Sequence, residues 1–142
     1  MINKLQERSL RIVLDDFASD FKTLLQNNND ISNHHRNIQT LLIELYKIRN
    51  GLAPPLVESM FHIRNNRYNL RHFQEFATER KRTVDYGLET LSYRAPQLWS
   101  LLPEEIKQTE SLSEFKRNIR KWICSDCPCR LCRTYVPNLG FL

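Results

Sequence analysis

The residues best suited to chemistry sit in one short run: Cys124, Cys127, Cys129 and Cys132, spaced C-x-x-C-x-C-x-x-C. A C-x-x-C pair lets two thiolates turn onto one metal ion, and zinc is the usual occupant. Only Pro128 separates the two pairs here. Four sulfurs joined so closely surround a single ion with difficulty, and one pair completed by a ligand from elsewhere, such as a histidine, closes more easily. Two readings stand open: a zinc site at Cys124, Cys127, Cys129 and Cys132, or a tail of reactive, unpaired thiols. Disulfides are disfavoured in a reducing compartment.

The other candidates are weaker. Asp15-Asp16 has the look of the paired aspartates that hold magnesium in polymerases. That chemistry needs a tight turn between strands and a third carboxylate, whereas this pair ends a helical pattern with fourteen residues before it. A solvated helix end is expected. His34 and His35 are adjacent, so on a helix they point about 100° apart and chelate one ion poorly together. His62 and His72 stand alone, and all four histidines are expected at the surface. No Ser or Cys lies in a recognisable nucleophile elbow. The chain is therefore expected not to be an enzyme in its own right and to act by binding.

Charge says what it binds. The net charge is +5, from 21 Lys and Arg against 16 Asp and Glu. One cluster holds Arg64, Arg67, Arg71, Arg80, Lys81 and Arg82; another holds Lys116, Arg117, Arg120 and Lys121. Clustered cations attract phosphate backbones by releasing their counterions, and these ten residues are the candidate nucleic-acid contacts. The plainer alternative is solvated helix faces. Tyr93, Trp99 and Trp122 have base-stacking chemistry, but their helical spacing places both tryptophans in the core.

The elements that carry these residues read mainly as helix. Leu10, Val13, Leu14 and Phe17 make a stripe on a first helix from Asn3 to about Asp16. Ser19 or Asp20 caps a second, with Phe21, Leu24 and Leu25, which ends in the Asn27-Asn28-Asn29 run. Ile38, Leu41, Leu42, Leu45 and Ile48 stripe a third from about His34 to Asn50, stopped by Gly51 and Pro54-Pro55. A short helix is expected over Leu56–Phe61. From Ile63 to Leu91 the β-branched and aromatic residues predict one or two short strands, with a turn at Tyr86-Gly87. Helix resumes over Ser92–Leu101, with Pro96 in its first turn and Tyr93, Ala95, Leu98, Trp99 and Leu102 on its apolar side. Pro103 at N1 opens another short helix. Ser111 and Glu114 form an S-x-x-E capping box for the last, whose face is Leu112, Phe115, Ile119 and Trp122.

The fold class expected is a small, mainly α domain, with one or two short strands in the middle and an irregular Cys-rich tail. A helical region over residues 1–122 and a flexible tail over 123–142 are the expected domains. At 142 residues and 41% hydrophobic, the chain has material for one modest core. Only three glycines occur, which argues against Gly-rich phosphate loops. No apolar run of about 20 residues occurs, and the start shows no signal-peptide pattern, so a cytoplasmic or nuclear rather than secreted location is expected, without a membrane.

The order of several short motifs resembles a known family. Leu45-Tyr46-Lys47-Ile48 precedes Asn50-Gly51-Leu52-Ala53-Pro54. Then come Tyr68-Asn69-Leu70-Arg71, Tyr86-Gly87, Leu91-Ser92-Tyr93-Arg94-Ala95, Leu98-Trp99, Leu102-Pro103, Ser111-Leu112 with Phe115-Lys116, and Trp122 before clustered cysteines. From about Arg8 to Cys132 the set resembles the C-terminal part of reverse transcriptases of non-LTR (LINE-type, jockey-like) retrotransposons. Ser100 stands where that family often has Asn, and the Cys run is shorter than the zinc-knuckle-like tails of some relatives. The resemblance implies a non-catalytic, thumb-like fragment of an RNA-directed DNA polymerase. It implies RNA or an RNA–DNA template–primer duplex as one partner and the polymerase palm of the full-length protein as another. The palm carboxylates are not in this chain, so no catalytic residue carries over. A protein-interaction module packing on that palm, and a small Cys-dependent metal-binding domain, are the alternatives.

Overall fold

A computed structural model of the chain describes residues 2–64, 75–78, 80, 82–83, 90–122 and 124. It is mainly α-helical, with seven helices among the described residues. Two compact units divide the chain: residues 1–39 with 124–142, and residues 40–123.

The smaller unit begins with α1 (Ile2–Leu14) and α2 (Phe21–Asn27). Leu10 of α1 packs with Phe21, Leu24 and Leu25, and Leu14 closes the cluster from its edge. Each such side chain removed from water contributes about 1.5–3 kcal/mol. The stripe expected to run through Val13 to Phe17 stops short, because α1 ends at Leu14. Asp15 takes a left-handed conformation (φ 49°), and the Asp16 N–H returns to the Arg11 carbonyl at 3.1 Å. Phe17 thus leaves the helix face, and both Val13 (74%) and Phe17 (68%) are exposed.

Asp20 caps α2 as the sequence indicates, its Oδ1 accepting from the Thr23 N–H at 3.4 Å. The Asn run ends the helix, with Asn29 also left-handed (φ 49°). Gln6 then ties α1 to the start of α3 (Asn33–Arg49). Its amide nitrogen donates to the Ile31 carbonyl (3.0 Å) and Asp30 Oδ2 (3.3 Å), and its oxygen accepts from the Asn33 N–H at 2.9 Å.

In the larger unit α3 buries Leu42, Leu45, Tyr46 and Ile48. Gly51 (φ 64°) ends it in a Schellman arrangement. The Leu52 N–H donates to the Lys47 carbonyl (2.8 Å) and the Gly51 N–H to that of Ile48 (3.2 Å). After it comes α4 (Pro55–Glu58), which buries nothing. Of the stretch read as one or two short strands, the described residues hold a single antiparallel bridge between Ile63 and Phe76, and most of the rest lies outside the described residues. The bridge is closed by Arg64 N–H to the Glu75 carbonyl and Ala77 N–H to that of His62, both 2.8 Å. Tyr86-Gly87 lies outside the described residues.

α5 (Leu91–Ser100) buries Ala95, Pro96, Leu98 and Trp99. It starts earlier than expected, so Pro96 is its sixth residue, inside the helix, where it has no N–H to give the carbonyl four back. Next come α6 (Glu104–Lys107) and α7 (Leu112–Lys121). Pro103 stands at the N-cap of α6 and not at N1.

Five aromatic rings build the core of this unit in sequence. Phe61 meets Phe76 edge-on (6.2 Å between centroids), and Phe76 meets Trp99 edge-on (5.4 Å). Trp99 stacks on Phe115 (6.1 Å), and Phe115 on Tyr46 (4.2 Å). The Tyr46 hydroxyl donates to the Thr109 carbonyl at 2.7 Å, so the polar end of the row is satisfied as well.

Candidate nucleic-acid interface

α7 carries the second basic cluster, and its geometry begins with its buried edge. Phe115 and Ile119 are fully buried one turn apart, with Leu112 half-buried beside them. Ring stacking on Tyr46 and Trp99 sets the rotation of the helix. At about 100° per residue, Lys116, Arg120, Arg117 and Lys121 then sweep the side away from that edge. Arg117, Arg120 and Lys121 are exposed and Lys116 is half-buried. Lys116–Arg120 and Arg117–Lys121 are each roughly 6 Å apart along the axis.

Two local effects act on these cations without any ligand. Arg117 approaches Glu114 at 3.7 Å, with both side chains about half or more exposed, which is worth about 0–1 kcal/mol. Arg120 and Lys121 occupy the last turn, where cations complement the helix dipole. The expected capping box does not close: Ser111 is the N-cap, but its side chain makes no capping hydrogen bond. Trp122, expected on the buried face, is the C-cap residue in extended conformation and is half-buried. Trp99 is buried as expected, 2% exposed.

From the first cluster, Arg64, Arg80 and Arg82 are all exposed. The bridge sets Arg64 opposite Glu75. Arg67, Arg71 and Lys81 lie outside the described residues. The seven described candidates belong to the larger unit.

A polar group under the aromatic row gave no warning in the sequence. Glu75 accepts from the Trp99 indole N–H at 3.0 Å and pairs with Arg49 Nε. Arg49 also donates to the Lys107 carbonyl and lies over the Trp99 ring, 6.0 Å from its centroid. One arginine thereby joins α3, the bridge, α5 and the end of α6. Its place on α3, one residue past the last apolar position, was the only available signal.

The cysteine and histidine expectations divide. Cys124 is buried, 3% exposed, while Cys127, Cys129 and Cys132 lie outside the described residues. Among the described residues no group of three or more His, Cys, Asp or Glu is placed to hold a metal. His35, expected at the surface, is buried at 7% exposure. Its Nε2 is 3.2 Å from the Cys124 carbonyl oxygen and its Nδ1 is 2.8 Å from Ser32 Oγ. A carbonyl only accepts, so Nε2 carries a proton. The Ser32 hydroxyl oxygen also accepts the His35 backbone N–H at 3.2 Å.

Asp15 and Asp16 stand in the turn after α1. The Asp16 carboxylate is held below its ordinary range by hydrogen bonds from Ser19 and, more weakly, Ala18, a turn-closing role. No helix among the described residues is long and apolar enough to cross a membrane. No protein-family model matches the chain, and no curated protein or solved structure was found similar to it.

Proposed function

We propose that the chain binds nucleic acid, with α7 as its principal contact, as the thumb-like C-terminal part of a non-LTR retrotransposon reverse transcriptase. The observation that carries the binding is α7 itself. Its buried edge is fixed by Phe115 and Ile119, so Arg117, Arg120 and Lys121 are displayed to solvent on a rigid element. Phosphate contacts of this kind position a duplex without reading its sequence. Arg64, Arg80 and Arg82 add exposed charge in the same unit, and Arg67, Arg71, Lys81 and Lys116 complete the proposed set. The polymerase assignment rests on the ordered motifs of the sequence. The chain's role is holding an RNA–DNA template–primer duplex, with no catalytic step of its own. Binding of a labelled RNA–DNA hybrid by purified chain, followed against salt, tests it. The affinity is expected to fall steeply and linearly on logarithmic axes, and absence of binding at low salt refutes it.

A second reading is favoured by the apolar surface of the smaller unit. Leu5 (58%), Ile12 (72%), Val13 (74%) and Phe17 (68%) are exposed, a concentration that marks contact surfaces. In this reading α1 packs on another protein surface, the polymerase palm in the resemblance. Concentration-dependent self-association, relieved by Ile12→Asp with Val13→Asp, supports it; a clean monomer with unchanged behaviour in the variant counts against it.

A further inference from the structure

α7 carries a single hydroxyl side chain, Ser113, and it stands among the cations. Arg117 follows four residues on and Arg120 seven residues on. At about 100° per residue the three share one stripe of the helix, roughly 60° wide. Ser113, Arg117 and Arg120 are all exposed. The neighbouring Ser111 falls about half a turn away from Arg120, off that stripe.

We infer that Ser113 is a phosphorylation site, and that its phosphate, held by Arg117 and Arg120, closes α7 to nucleic acid. The inference rests on the nucleic-acid reading of α7 and names its regulation. The donor is ATP, brought by a serine kinase. The Ser113 Oγ–P bond forms while the bond from the γ-phosphorus to the bridging oxygen breaks. ADP leaves with that oxygen, and the hydroxyl proton passes to the base of the kinase. Glu110 and Glu114, both exposed, flank the serine and match a kinase with a basic peptide groove. The start of α7 gives way to such a groove. Ser111 makes no side-chain capping bond there, and a missing cap weakens a helix start.

Competition for the same arginines closes the face. Residues four apart on a helix have Cβ atoms about 5–6 Å apart, within reach of a guanidinium. Arg117 already turns back along the helix, approaching the Glu114 carboxylate at 3.7 Å. A phosphoserine carries about −1.5 to −2 charge and three strong acceptor oxygens, and arginine binds phosphate through two parallel N–H bonds. It displaces the single carboxylate from Arg117. The face holds Arg117, Arg120 and Lys121 against Glu114, a net of +2. One phosphate about cancels that charge and occupies the donors that a nucleic-acid backbone needs.

The test compares three full-length chains in salt titrations against the labelled RNA–DNA hybrid: unmodified, with phosphoserine incorporated at position 113, and with phosphoserine at position 59. Ser59 is exposed at the end of α4, so its phosphate shifts the net charge equally without standing on α7. Cancelling two phosphate contacts should flatten the logarithmic slope by about 1.4–1.8 and weaken binding roughly 25- to 60-fold at about 0.1 M salt. Phosphoserine at 59 should leave the slope nearly unchanged. Without nucleic acid, the Arg117 Nε–H proton resonance should move downfield only in the chain phosphorylated at 113. An acidic-directed serine kinase with ATP should add a phosphate that tandem mass spectrometry maps to Ser113. An unchanged slope with phosphoserine at 113 overturns the proposal, as do an equal loss from position 59, an unmoved Arg117 resonance, or a kinase that leaves Ser113 unmodified. If the unmodified chain itself fails to bind, the nucleic-acid reading falls and takes the switch with it. Binding that ignores the phosphate at 113 sinks the switch alone.

Discussion

Replacing Phe115 by alanine probes the link between the aromatic core and the basic face. The ring is fully buried and touches Tyr46 and Trp99 by stacking, at 4.2 and 6.1 Å between centroids. Truncating a buried Phe costs about 3–5 kcal/mol, transfer and cavity together. Whole domains are stable by only about 5–15 kcal/mol, so Phe115→Ala should leave the larger unit marginal. Phe115→Leu keeps an apolar side chain and forfeits the ring pairs, each worth about 0.5–1.5 kcal/mol; its cost should be about 1–2 kcal/mol. Urea unfolding followed by Trp99 fluorescence, in a Trp122→Phe background, measures both. Trp99 suits the purpose, being 2% exposed between Phe76 and Phe115. A Phe115→Ala loss under about 1 kcal/mol would refute the docking of α7 described above. Affinity for nucleic acid should survive Phe115→Leu, since no cation is removed.

Other perturbations address separate parts of the fold. Glu75→Ala strips the acceptor from the Trp99 indole and the partner from Arg49 and should cost about 2–3 kcal/mol. Glu75→Gln, which still accepts from the indole, should cost less by the same urea assay. Gly51→Ala should cost about 1–2 kcal/mol from the left-handed backbone alone, because a Cβ there meets nothing within 4 Å. Burial raises the Asp30 pKa, but hydrogen bonds from Arg36, the Ile31 N–H and Gln6, with the Arg36 charge, outweigh it and leave the carboxyl below its ordinary 3.8. A depressed folded value means this stabilisation is present above the ordinary pKa and is lost as pH falls through the lower one. Acid unfolding should therefore be blunted in Asp30→Asn, read by circular dichroism below about pH 4.

Much of the helical layout was legible in the sequence because its signals are local. The Leu42-Leu45-Ile48 spacing, Gly51 and Pro54-Pro55 lie within a few turns of one another, and the end of α3 follows from them. The Asp20 cap of α2 was equally local. Misreadings arose where a remote partner or an alternative backbone state decided. Asp15 adopts a left-handed conformation that propensity does not assign to it, and this turned Phe17 away from the stripe. The Ser111–Glu114 spacing met the capping pattern, but spacing does not fix the serine rotamer. Leu91 joined α5 one residue early, which moved Pro96 into the helix interior. Of the candidate site, the cations of α7 were visible as a charge run flanking an apolar edge. The burial of His35 was not, because its partner is 89 positions away. The Arg49–Glu75–Trp99 group is a similar case, assembled from three separated stretches.

The central claim is that α7 meets phosphates with Arg117, Arg120 and Lys121. Its most direct test is the salt dependence of binding to a labelled RNA–DNA hybrid, for the chain and for the triple alanine variant. Each phosphate contact contributes about 0.7–0.9 to the logarithmic slope. The variant should therefore lose affinity across all sequences and flatten the slope by about 2–3, with the urea midpoint nearly unchanged. Unchanged affinity and slope in the variant would contradict the claim.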